Sequence, residues 1–121
     1  MTRRTIFVTG AGRDIGRSIA ERLGESQNFV IFHYASSRTG AEQALAQVMQ
    51  AGGDGTLIQA DLRDDQGAKM LANQVIDVLA GRSLDVFVSN AAVAAASALS
   101  QTDLTCIQAM TRVNLLAPFE L

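Results

Sequence analysis

The chain has no tryptophan and only one cysteine, one proline, one tyrosine and one histidine among its 121 residues. It also has a single lysine, Lys69. One cysteine, Cys106, forms no internal disulfide, which fits a reducing compartment and excludes a disulfide-stapled secreted scaffold. One histidine and one cysteine far apart in sequence make no metal site. No apolar run approaches membrane-spanning length. "MTRRTIFVTG" offers too short a hydrophobic stretch for a secretory signal. The net charge of −2 gives no electrostatic case for nucleic acid or an anionic membrane. With 48% hydrophobic and 18% charged residues, the composition is that of one water-soluble globular domain, residues 1–121, expected in the cytoplasm.

Short β-branched or aromatic runs alternate with longer stretches of helical period. "TIFVT" (5–9), "FVIFHY" (29–34), "GTLIQA" (55–60) and "LDVFVSN" (84–90) read as strands. Between them, Ile15, Ile19 and Leu23 form one helical stripe ended by Gly24. Ala41, Ala44, Leu45, Val48 and Met49 form a second, stopped by Gly52 and Gly53. Ala68, Leu71, Ala72, Val75 and Leu79 form a third, capped by Asp64 and closed by Gly81. A last helical region runs from about Thr102, with Leu104, Ile107 and Met110 inward and a kink at Pro118. This alternation predicts a doubly wound α/β fold, a Rossmann-type parallel sheet in the order 3-2-1-4, with two helices on each face. The switch point then falls between strands 1 and 4, and it brings Gly10–Gly16 and Ser89–Ala92 to one crevice.

Gly10, Gly12 and Gly16 follow a strand and open a helix, where close backbone approach and free N–H groups suit a pyrophosphate. The spacing and the missing lysine exclude a P-loop. Asp14 near the helix start reads as an N-cap turned away from any phosphate. About 20 residues on, where NAD-binding sheets carry an acid for the ribose hydroxyls, the chain has Ser36, Ser37 and Arg38. With Arg13 in the turn, these favour NADP over NAD, because charge-assisted bonds to a 2′-phosphate contribute roughly 1.5–3 kcal/mol each. His33 is expected beside the cofactor or at the surface, and Cys106 in buried packing.

"TGAGRDIG" resembles the T-G-x-x-x-G-x-G turn of the short-chain dehydrogenase/reductase family, with Thr9, Gly10 and Gly16 in place and Asp14 at the middle glycine. "DLRD" (61–64) resembles the family's Asp-Val/Leu step after strand 3, "SNAA" (89–92) its N-N-A-G motif with Ala92 for glycine, and "VNLLAPF" (113–119) the helix that carries its active-site asparagine. The resemblance implies a dinucleotide site built from Thr9, Gly10, Gly12, Arg13, Asp14, Ile15, Gly16, Tyr34, Ser36, Ser37, Arg38, Asp61, Leu62, Asn90, Ala91 and Ala92. Asp61 is implied to meet the adenine amino group. It further implies hydride transfer between NADP(H) and a carbonyl or alcohol, with Asn114 in the catalytic set. The family's serine and Tyr-x-x-x-Lys lie beyond the span matched, and neither Tyr34 nor Lys69 takes their roles. The expectation is therefore an inactive amino-terminal part of a longer reductase. A non-catalytic nucleotide-binding or subunit-interaction module and a damaged gene product are the competing readings. Strand 4 leaves an apolar edge (Val86, Phe87, Val88), so homo-oligomerisation or self-association through that edge and the last helix is expected.

Overall fold

The computed structural model describes residues 3–94 and 97–121. Four parallel strands, β1 (Thr5–Val8), β2 (Phe29–Tyr34), β3 (Asp54–Gln59) and β4 (Val86–Val88), form one sheet in the order β3-β2-β1-β4. The expected order and fold class therefore hold. Helices α1 (Asp14–Gly24), α2 (Arg38–Gln50) and α3 (Gly67–Leu79) alternate with the strands. After β4 come a 3₁₀ turn at Leu99–Gln101, α4 (Leu104–Thr111), a π-helical turn at Arg112–Leu116 and α5 (Ala117–Glu120).

The core has two layers because successive strand side chains face opposite ways. Ile6, Val8, Val30 and Phe32 pack with Ala20, Ala44 and Val48 under α1 and α2. Phe7, Ile31 and Ile58 pack on the other face with Leu71 and Val75 of α3 and with Val113 and Ala117 of the last helical segment. Central strands covered on both faces favour near-continuous apolar runs, as "TIFV" and "FVIFHY" supply apart from the buried Thr5 and His33.

Several local expectations are corrected. Ile15 does not face the core; it is 70% exposed. The buried line on α1 is Gly16, Ala20 and Gly24, one position along, because small residues let the helix lie close to its neighbours. A Cβ on Gly24 would strike the Val48 side chain of α2. Met49 is likewise exposed, leaving Ala41, Ala44 and Val48 as the inner face of α2. Asp64 does not cap α3. Its carboxylate accepts the Gln66 N–H at 2.8 Å in a turn ahead of the helix, whose cap residue is Gln66 itself. The end of α3 is set by Ala80 in the left-handed region (φ 50°), with Gly81 following (φ 85°).

The last helix starts at Leu104, where Asp103 caps it by accepting the Cys106 N–H at 2.8 Å. Leu104 and Ile107, expected inward, are exposed, and Cys106 is only half-buried. Next to Pro118, where a kink is expected, the helix widens into a π turn at Arg112–Leu116. Proline has no N–H and its ring crowds the carbonyl four residues back, here that of Asn114, so the wider turn relieves the clash.

Candidate functional site

The carboxyl ends of all four strands open onto one cleft of about 270 Å³. Its first wall is the turn from β1 into α1, where Gly10, Gly12, Arg13, Asp14, Ile15 and Gly16 line it. Gly10 has φ +66°, and a Cβ there would lie 3.0 Å from Ala91 Cα. A Cβ on Gly16 would strike the Gly10 carbonyl oxygen. Both positions therefore require glycine, and the turn folds against the segment after β4. The first helical hydrogen bond of α1 runs from Arg17 N–H to Arg13 O, 3.1 Å, so the N–H groups of Asp14, Ile15 and Gly16 stand ahead of it at the positive end of the helix. A backbone of this shape suits an anion.

Asp14 makes no cap bond to α1. It takes the left-handed backbone (φ 51°) where a glycine would rest without strain, and its carboxylate, 85% exposed, sits 3.9 Å from Arg13 Nε. The N-cap assignment is thus corrected. A side chain this exposed is turned to solvent at the mouth of the turn.

Two hydrogen-bonded joints hold the turn in register with its neighbours. On the β4 side, Thr9 Oγ1 accepts the N–H groups of Asn90 (2.9 Å) and Ala91 (3.0 Å), and Asn90 Nδ2 donates to the Thr9 and Gly10 carbonyls at 3.3 Å. Thr9 is buried and does not line the cleft; it sets the position of residues that do. On the β2 side, Nδ1 of His33 accepts the Gly10 N–H at 3.0 Å, and the His33 carbonyl accepts the Ala11 N–H at 2.8 Å. His33 is 2% exposed, so the surface placement allowed by the sequence is corrected to a buried one at the cleft floor. Burial holds its imidazole below its ordinary pKa, with a smaller opposing effect from the Ala60 carbonyl.

Tyr34, Ser36 and Ser37 follow on the second wall, and Asp61 and Leu62 on the third. Asp61 Oδ1 accepts the Arg63 N–H at 2.9 Å, leaving Oδ2 without a protein partner among the described residues. Asn90, Ala91 and Ala92 close the fourth side. Arg38 is not among the lining residues. It begins α2 and its Nε lies 2.8 Å from Glu42. Asn114 also lies outside the lining. Its amide clamps Val93 both ways, Oδ1 accepting the Val93 N–H at 2.9 Å and Nδ2 donating to the Val93 carbonyl at 2.8 Å. That clamp fixes the segment leaving β4, and Val93 and Val113 line the cleft beside it.

Sequence reasoning passed over Arg63, Val93 and Val113. Arg63 follows the Asp-Leu step directly, so its position was readable, but a lone arginine carries no signal of its own. Among the described residues no cluster of three or more His, Cys, Asp or Glu is placed to hold a metal. No helix of the described chain is long and apolar enough to cross a membrane.

A sheet of this order with a glycine turn at its switch point defines a dinucleotide-type Rossmann fold. The family profile described as short chain dehydrogenase matches residues 4–121, and the chain belongs to that family. It is 33% identical over 90 residues to glucose 1-dehydrogenase 2 of Bacillus subtilis (strain 168), covering 74% of this chain and 34% of that protein. It is 39% identical over 93 residues to 1-cyclohexenylcarbonyl-CoA reductase of Streptomyces collinus, covering 77% and 32%. Among solved structures, landomycin C-6 ketoreductase LanV with bound NADP and rabelomycin superposes with a TM-score of 0.89 at 34% identity, over 98% of this chain and 50% of that one. A short chain dehydrogenase from Burkholderia cenocepacia J2315 in complex with NADP gives 0.86 at 31% identity, over 98% and 47%. The chain thus spans about a third of the curated relatives and half of the solved chains.

Proposed function

We propose that this chain is the dinucleotide-binding part of a short-chain reductase that takes NADP(H) in preference to NAD(H). The observation that carries the reading is the convergence of an anion-binding helix start with the ends of β2, β3 and β4 in one cleft. In this reading the N–H groups of the turn meet the pyrophosphate, Arg13 with Ser36 and Ser37 meets the 2′-phosphate, and Asp61 Oδ2 meets the adenine amino group. Arg38 gives its Nε to Glu42, and its two terminal NH2 groups stay available to the phosphate. The NADP-bound relatives support the cofactor choice. When bound, the dinucleotide supplies the hydride for a carbonyl or accepts it from an alcohol.

This chain's own residues bind and orient; they do not complete the proton transfer. Tyr34 is buried at the end of β2, Lys69 lies exposed on α3, and Asn114 is hydrogen-bonded to Val93. Turnover of the whole reaction belongs to a polypeptide that also carries the family's serine, tyrosine and lysine, acting in the cytoplasm. A second reading, a non-catalytic nucleotide-binding or subunit-interaction module, is favoured by the open edge of β4 and by exposed Leu104, Leu115 and Phe119, which suit self-association.

Titrating the chain with NADPH and NADH by calorimetry tests the reading. The expected result is NADPH binding tighter by roughly tenfold or more, as one charge-assisted contact provides, with no NADPH oxidation when ketones are added. Equal or tighter NADH binding overturns the cofactor preference, and turnover by the purified chain alone overturns the division of labour.

A further inference from the structure

His33 is the only histidine, and the dinucleotide reading gives it no task. Its surroundings fix its chemistry. The Gly10 N–H is a donor, so Nδ1, 3.0 Å away, must be unprotonated. The proton then sits on Nε2, which donates to the Ala60 carbonyl at 2.9 Å. Both ring nitrogens are used, each by backbone, and the residue is almost wholly buried. Its own carbonyl takes the next N–H of the turn, that of Ala11. One residue on β2 thus grips two successive amides of the glycine turn on one side and the last carbonyl before Asp61 on the other.

The geometry points to His33 as a positioning residue for dinucleotide binding: its neutral Nε2–H imidazole fixes the distance between the glycine turn and the Asp61 step. This rests on the reading of the cleft as a dinucleotide site. A dinucleotide touches both places at once, the pyrophosphate at the turn and the adenine at Asp61, so a rigid spacing between them is worth affinity without any direct contact from the imidazole. Thr9 performs the matching task toward β4, and the two joints flank the end of β1.

The two ring contacts separate by substitution. In His33→Asn the amide oxygen stands about where Nδ1 does and keeps an acceptor for Gly10 while giving up Ala60. In His33→Gln the amide reaches the Nε2 position, keeping a donor for Ala60 while giving up the Gly10 acceptor. NADPH affinity and thermal midpoint are measured together on the full chain. The expected result is Asn within about threefold of the unaltered protein and Gln weaker by about tenfold or more, the effect of one buried N–H left without its acceptor, even where the two variants melt alike. Affinity that simply follows the melting temperature, with Asn no better than Gln, overturns the proposal.

Nitrogen NMR of the single imidazole in the unaltered chain needs no variant to fold. An Nε2–H tautomer with unprotonated Nδ1, present in the free chain and kept when NADPH is added, supports the proposal, and an Nδ1–H tautomer in either state overturns it. A chain with the Nε2–H tautomer that binds no NADPH removes the dinucleotide reading instead, and the joint between strands remains.

Discussion

The two sides of the sheet's axis are finished to different degrees. At β1 and β2 the central strands are covered on both faces, and the glycine turn is held by hydrogen bonds through buried Thr9 and His33. From β4 onward, the strand is three residues long with Phe87 partly exposed, and α4 buries no residue fully. Phe87 stacks on Phe7 at 5.1 Å across the pair, adding to the ladder, to the Asp85–Thr5 hydrogen bond and to the Thr9 joint that hold this edge. The closed side holds the groups suited to an adenosine and a pyrophosphate. The open side holds Asn114, whose amide is spent on the Val93 backbone. In this chain buried, hydrogen-bonded residues gather around the cleft, and most of the exposed large apolar residues lie after β4.

The largest effect that tests the closed side is at Gly16. In Gly16→Ala the new methyl meets the Gly10 carbonyl, so α1 must back away from the turn. The expected cost is about 3 kcal/mol of stability, the upper end for overpacking, and NADPH binding falls below detection. Urea unfolding and calorimetry check both. A variant that loses less than about 0.5 kcal/mol and binds normally would show that the turn is far looser than its contacts.

Thr9→Val tests the joint between the two sides. Valine keeps the shape but leaves the Asn90 and Ala91 N–H groups without their shared acceptor. A loss of about 2 kcal/mol is expected. Hydrogen exchange should quicken at Asn90 and Ala91 while β2 stays protected. Uniform quickening across the sheet would mean that the two sides unfold as one unit and that the contrast between them is only one of exposure.

The same contrast explains what was legible in the sequence. The strand order and the cleft were readable because β2, "FVIFHY", and the Gly10–Gly16 turn obey strong local rules, and both stand where expected. The helix faces were less readable. Hydrophobic period picks Ile15, Ile19 and Leu23, of which Leu23 does pack against the core, but it misses the fully buried line of Gly16, Ala20 and Gly24, which carry almost no hydrophobic signal. Leu104 and Ile107 were assigned inward by the same rule, on a helix where little covers them. The hydrogen bonds of His33 join positions 23 and 27 residues away, and no spacing rule reports a pair of backbone partners so distant. Arg38 was placed at the cleft by its distance from the turn, but its salt bridge to Glu42 depends on a helix start that the spacing alone did not position.

The smallest expected effect lies on the open side and sharpens the comparison most. Phe119 is 88% exposed on α5, so in an isolated molecule Phe119→Ser removes almost no buried surface and should change stability by less than about 0.5 kcal/mol. The same face carries exposed Leu115 and Leu116, and a contiguous apolar surface is where chains associate. Sedimentation across a concentration series should therefore show the unaltered chain associating and the serine variant shifted toward the monomer at equal concentration. A destabilisation of 2 kcal/mol or more, strongest at high concentration, would mean that this face is already covered by a second copy in solution. Stability and association would then be coupled by mass action, and the open side would be a shared core cut between two chains.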